Sequence, residues 1–126
     1  HHPDEVRACA KSIKELYGDK KVTVLFQPHL FSRTADFYKE FAESLSMFDK
    51  VILVDIYPAR EKPIPGVTSK LIYDHLAPGV EKSMCSRADV LATVEKEKND
   101  IEILVSLGAG DIENEIAGMK EILKNR

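Results

Sequence analysis

Apolar residues recur along this chain in two alternating rhythms. From Pro3 through Leu16 they fall at Val6, Cys9, Ala10, Ile13 and Leu16, the spacing of one helix face, and Gly18 stands where a C-terminal cap is expected. A β-branched run then reads as a buried strand over roughly Lys21 to Phe26, and Pro28 stops it. Helical spacing returns from about Arg33 to Met47, with Phe37, Phe41, Leu45 and Phe48 on one stripe. Lys50 to Ile56 predicts a second buried strand. Thr68 or Ser69 is placed to cap a short helix carrying Leu71, Ile72, His75 and Leu76, closed by Pro78-Gly79. Val80 to Met84 is a weaker strand, and Ser86-Arg87-Ala88-Asp89 is similar to a capping box opening a helix through Val94. Ile101 to Leu107 predicts the last strand and Ile112 to Leu123 the last helix. Strands alternating with helices of this length predict an α/β domain of three layers. Its mainly parallel sheet is flanked by helices and joined by right-handed crossovers. No repeat, low-complexity tract or internal linker divides the chain, so residues 1–126 read as one domain.

Composition narrows the function classes. With 126 residues the chain is long enough to bury a sizeable core, and 44% hydrophobic with 31% charged residues is ordinary for a soluble domain. A net charge of −3 argues against nucleic acid as a partner, because phosphate-backbone binding needs a basic face. No apolar run approaches the roughly 20 residues that span a bilayer, and no signal-peptide pattern is present, so a cytoplasmic, membrane-free location is expected. The two cysteines, Cys9 and Cys85, sit in apolar-periodic segments and read as buried thiols in a reducing compartment. Together with His29 they lack metal-ligand spacing, so no metal site is expected in this chain.

Two loops carry candidate chemistry. The first follows the first strand as Gln27-Pro28-His29-Leu30-Phe31-Ser32-Arg33-Thr34, and it exposes a histidine and an arginine four residues apart. Open α/β sheets place their ligand contacts at such strand ends; a solvated loop in which both residues are idle is the plain alternative. The second follows the next strand as Tyr57-Pro58-Ala59-Arg60-Glu61-Lys62-Pro63-Ile64-Pro65-Gly66. Its three prolines fix φ and lower the freedom lost on ordering, a stiffness that suits holding Arg60 and Glu61 toward a ligand. An exposed Arg60–Glu61 ion pair of little energetic consequence is the other reading of the same residues.

Gly108-Ala109-Gly110-Asp111 follows a strand and opens a helix, as a dinucleotide-binding turn would, but Glu113 holds the place of the third glycine. Asp111, Glu113 and Glu115 crowd the helix start and repel an anionic phosphate there. A structural turn with an Asp N-cap is the preferred reading. No Walker-type phosphate loop occurs.

These segments resemble, in order and along nearly the whole chain, the C-terminal domain of the Mur ligases. Those are the ATP-dependent ligases of bacterial peptidoglycan synthesis, and the branch resembled is the L-alanine-adding one. The resemblance rests on Gln27-Pro28-His29, Ser32-Arg33-Thr34, Asp55-Ile56-Tyr57-Pro58-Ala59-Arg60-Glu61, Pro63-Ile64-Pro65-Gly66-Val67 and Gly108-Ala109-Gly110-Asp111-Ile112, with His1-His2-Pro3 similar to the tail of a further family motif. It implies a Rossmann-like fold, and a fragment of a three-domain enzyme that joins L-alanine to UDP-N-acetylmuramate through an acyl phosphate. ATP and Mg²⁺ would then be bound mainly by a central domain outside this chain, and no catalytic residue is expected in this domain alone. The resemblance places His29 and Arg33 at the muramoyl substrate, Arg60 and Glu61 toward the L-alanine site, and His1 near nucleotide and substrate. An affinity-tag stump is the second reading of His1-His2. Leu30 departs from the family pattern, which usually has arginine there. Two alternatives stay open: the sister ligase that recycles murein peptide, and a self-contained nucleotide-binding or interaction module of doubly wound fold.

Overall fold

Two strands of six and five residues, buried along their whole length, organise the molecule: β1 (Val22–Gln27) and β2 (Lys50–Val54). A strand covered on both faces shows no polar side, which is why both read as continuous apolar runs. The computed structural model describes residues 2–108 and 110–126, the side chains at 110 and 111 excepted. The edges are β3 (Glu81–Cys85) and β4 (Ile103–Gly108), and the order β3-β2-β1-β4 is parallel throughout.

Side chains alternate across the sheet and build two cores. Val22, Val24, Phe26, Val51 and Leu53 face α1 (Pro3–Leu16), α2 (Phe31–Leu45) and α3 (Lys70–Tyr73). Leu25, Ile52 and Val54 face α4 (Val90–Glu97) and α5 (Ile116–Lys124). The result is the three-layer, Rossmann-like α/β arrangement expected from the sequence. The stripe expected on α2 is present: Phe41, Leu45 and Phe48 are buried, with Phe37 at the margin. Phe41 packs on Phe26 with ring centroids 5.3 Å apart.

Several boundaries differ from those the sequence predicts. α2 begins at Phe31, two residues before Arg33, and closes at Leu45. Tyr17, not Gly18, closes α1, its amide donating to the Ile13 carbonyl at 2.8 Å. The short helix is a single turn from Lys70. Thr68 Oγ1 accepts from the Lys70 amide at 3.2 Å, while the buried Ser69 hydroxyl donates to the Val54 carbonyl at 2.6 Å. No capping box forms at Ser86; a 3₁₀ turn over Arg87–Asp89 precedes α4, which runs on to Glu97. α5 is preceded by a 3₁₀ segment over Gly110–Glu115, so helical geometry of the α type begins only at Ile116.

At the amino ends of the strands a buried lysine is held by carboxylates. Lys50, 8% exposed, pairs with Glu97 and lies 3.6 Å from Asp100, which also bonds Lys21 at 2.8 Å. A buried ammonium without such partners would be strongly destabilising. The other end of the sheet has a different character. The chain steps outward from β1 to β3 and then returns to place β4 on the far side of β1, so the strand order reverses between β1 and β4. Parallel sheets take ligands at the carboxyl ends beside that reversal.

Candidate functional site

Gln27 and Gly108 are register partners at the carboxyl ends of β1 and β4. They approach so closely that a Cβ on Gly108, whose φ is +139°, would stand 2.6 Å from the Gln27 carbonyl oxygen. Only glycine fits there. The buried Gln27 side chain donates from Nε2 to the Asp55 carbonyl at 3.3 Å, and among the described residues its Oε1 has no hydrogen-bond partner.

Beyond Gln27 the pairing of β1 with β2 continues through the two loops. The Tyr57 amide donates to the Pro28 carbonyl at 2.8 Å and the Leu30 amide to the Tyr57 carbonyl at 2.9 Å, making a parallel bridge between His29 and Tyr57. Their rings stack with centroids 5.9 Å apart and planes 19° from parallel. Leu30 then turns strand into helix at φ 71° and ψ 137°, a strained conformation for a residue with a side chain. Its carbonyl accepts from both the Thr34 amide at 3.2 Å and the Thr34 hydroxyl at 2.9 Å. A second strained residue, Ala59 at φ 52°, lies in the facing loop.

The first turn of α2 contains no acidic residue, and Leu30 offers no side-chain cap. Glu61 supplies the missing acceptor from the other loop. The Ser32 amide donates to its Oε1 at 3.1 Å, and the Ser32 hydroxyl donates to its Oε2. The Ser32 hydroxyl, and after it the Ser32 amide, hold the Glu61 carboxyl below the usual carboxylate range; partial burial opposes this, while the Phe31 amide and the nearby His29 add to it. Arg33 follows on the same turn, half-buried, and Arg60 is exposed beside Glu61. Among the described residues neither guanidinium has a hydrogen-bond or ion-pair partner.

The structure therefore brings His29, Arg33 and Glu61 to one place, with Arg60 on the adjoining loop. It does not form an Arg60–Glu61 ion pair: both Glu61 oxygens are spent on Ser32. His1 and Ala109 lie outside the described residues, as does the side chain of Asp111, so the Asp N-cap expected there has no structural counterpart to report. His2, the neighbour of His1, caps α1 by accepting from the Asp4 amide at 3.2 Å, and its ring meets Phe37 of α2 at 5.5 Å. Sequence reasoning assigned no role to Ser32 or Tyr57. The signal for Ser32 was a polar residue opening a helix whose first turn lacks a carboxylate.

A cleft lined by Asp55, Thr68, Ser69, Cys85 and Ser86 opens at the carboxyl ends of β2 and β3. Burial pushes the thiols of Cys9 and Cys85 upward, and both are free. A separate hollow lined by Ile13, Tyr17, Lys21 and Phe48 lies at the amino end of β1 and carries none of the loop groups. With one carboxylate occupied and two unpaired guanidiniums beside a histidine, the loops fit an anion, carboxylate or phosphoryl, bound by charge-assisted hydrogen bonds. Among the described residues no three His, Cys, Asp or Glu side chains converge as metal ligands would.

Comparison with known proteins covers the chain as a whole. Residues 1–112 match the family model described as Mur ligase, glutamate ligase domain. Over all 126 residues the chain is 59% identical to the UDP-N-acetylmuramate–L-alanine ligase of Phocaeicola vulgatus. It is 49% identical over 125 residues to the protein of that name from Porphyromonas gingivalis. It spans 27% of the length of each. The crystal structure of the UDP-N-acetylmuramate–alanine ligase of Thermotoga maritima superposes with a TM-score of 0.63 at 24% identity, covering 99% of this chain and 24% of that one. At that identity the likeness is one of fold.

Proposed function

The chain belongs to the Mur ligase family, and we propose that it is the C-terminal domain of a bacterial, cytoplasmic ligase that uses ATP to join L-alanine to UDP-N-acetylmuramate. What carries the reading is identity sustained over the whole chain with proteins bearing that ligase's name. The geometry supports it: the permanently charged Arg33, without a partner among the described residues, sits on the first turn of α2 just after His29 at the carboxyl end of β1, where an anionic substrate would be received.

In this reading the substrate carboxylate is phosphorylated by ATP, and the amine of L-alanine attacks the acyl phosphate to give an amide. Arg33 pairs with carboxylate or phosphoryl oxygens, His29 orients the same group, and Arg60 faces the amino-acid side of the cleft. The nucleotide phosphates and magnesium belong mainly to a central domain of the same protein, since this chain contains no Walker-type phosphate loop. Closure of this domain over the central one, with the N-terminal domain holding the UDP-sugar, orients the reactants and keeps water from a hydrolysable intermediate.

The test is ADP release by the full-length protein with ATP, UDP-N-acetylmuramate and L-alanine, beside the 126-residue domain alone. Turnover that needs all three substrates, and none from the isolated domain, is expected. Turnover by the domain alone contradicts the reading, and so does a preference for a preformed peptide over L-alanine.

A further inference from the structure

We propose that Glu61 is a positioning residue: from the loop after β2 its carboxylate caps α2 and so fixes the bearing of Arg33, without itself touching substrate. The inference rests on the reading of Arg33 as a substrate contact and adds how that contact is held.

Three observations carry it. First, α2 starts with no side-chain acceptor of its own: Leu30 has no capping atom and the first turn has no acid. An N-terminal amide left without a partner destabilises a helix start, and Glu61 answers that need through the Ser32 amide and hydroxyl across 29 positions of sequence. Secondly, the charges demand it. Arg33 sits in the first turn of a helix, where the macrodipole is positive, with His29 close by. A cation there is unfavourable by itself. The Glu61 carboxylate, bonded to the Ser32 amide and hydroxyl, brings negative charge to that helix start, and among the described residues the Arg33 guanidinium has no partner. Thirdly, each loop holds one strained residue, Leu30 and Ala59, and such strain persists only where the surroundings over-determine it. The His29–Tyr57 bridge and the Ser32–Glu61 contact are the two ties between those loops. One lies on each side of Leu30. Each Glu61 oxygen accepts one hydrogen bond from Ser32, so the carboxylate is anchored to the start of α2.

A double-mutant cycle in the full-length ligase tests this. Glu61→Ala alone should lower kcat/KM by about tenfold or more, and Glu61→Gln, which keeps the shape and loses the charge, by less. In an Arg33→Ala background, Glu61→Ala should cost no more than about twofold, because the residue it positions is gone. Formate, a carboxylate small enough to occupy the vacated helix start, should restore part of the activity of Glu61→Ala and none of that of Arg33→Ala. Should Glu61→Ala fail to fold, Glu61→Gln runs the same cycle. Full additivity of the two substitutions, or Glu61 variants within about twofold of wild type, overturns the positioning role while leaving Arg33 as a substrate contact. A silent Arg33→Ala overturns the substrate-site reading and the positioning role with it.

Discussion

Replacing Gly108 by alanine puts a methyl group into the tightest backbone approach in the sheet. The added Cβ would lie 2.6 Å from the Gln27 carbonyl oxygen, 3.0 Å from its amide nitrogen and 3.1 Å from its Cβ, all well inside ordinary contact. Neither partner has room to withdraw. Gln27 is buried and held on one side by its register with Gly108 and on the other by Asp55. Two costs add. A side chain at φ +139° carries backbone strain on the order of 1–3 kcal/mol. Pushing two packed strands apart adds roughly 1–3 kcal/mol. The sum, about 2–6 kcal/mol, is a large share of the stability of a domain this size. Gly79→Ala is the control: its φ is +89°, but nothing lies within 4 Å of the added carbon, so only strain of about 1–2 kcal/mol is expected. Urea denaturation of the domain, comparing midpoints at unchanged slope, separates the two. If Gly108→Ala is no less stable than Gly79→Ala, the close approach of β4 to Gln27 is wrong, and with it the geometry of the strand-order reversal that sites the loops.

Three further outcomes are expected. Phe41→Ala, which empties a 2%-exposed site against Phe26, should destabilise the domain by roughly 3–5 kcal/mol in the same denaturation assay. Asp100, whose carboxyl is held low first by its hydrogen bond from Lys21, has a depressed folded pKa. Its contribution is therefore complete above the ordinary carboxylate pKa of about 4 and is lost as pH falls through the folded value. Melting temperatures measured from pH about 7 downward should fall less steeply at the acid end for Asp100→Asn than for wild type. Glu61 has the same sign, so the activity lost in Glu61→Gln should be nearly constant from pH about 8 to 6, a range in which the wild-type carboxylate stays ionised.

The inner sheet and its long helices were legible because their signals are local. Val22 to Leu25 is apolar but for the β-branched Thr23, Val51 to Val54 is an unbroken apolar run, and α1 and α2 carry apolar residues at helical spacing. What escaped was set by partners distant in sequence. The start of α2 moved to Phe31 because its cap comes from Glu61, and nothing between Gln27 and Thr34 announces that carboxylate. The capping box read at Ser86 did not form, and Arg87 beside it is engaged by Glu115 of the last 3₁₀ segment at 3.1 Å. The strand order was beyond reach for the same reason, since β1 pairs with β4 across most of the chain. At the site, His29 and Arg33 were visible as a histidine and an arginine at a strand end. That Glu61 serves Ser32 rather than Arg60 depends on the two loops meeting, which the pattern of residues does not encode.

The most direct test of the account is steady-state kinetics beside thermal melting for Arg33→Ala and Arg33→Lys in the full-length ligase. A guanidinium paired with substrate charge in a closed site contributes on the order of 2–4 kcal/mol to the transition state, or roughly thirty- to thousand-fold in turnover. Arg33→Lys should recover only part of it, because an ammonium keeps the charge and loses the fork. With no partner among the described residues, Arg33 adds little to folding, so both variants should melt within a few degrees of wild type. Turnover lost in an intact fold is the predicted result. Activity within about threefold of wild type, or a melting temperature that collapses together with activity, contradicts it.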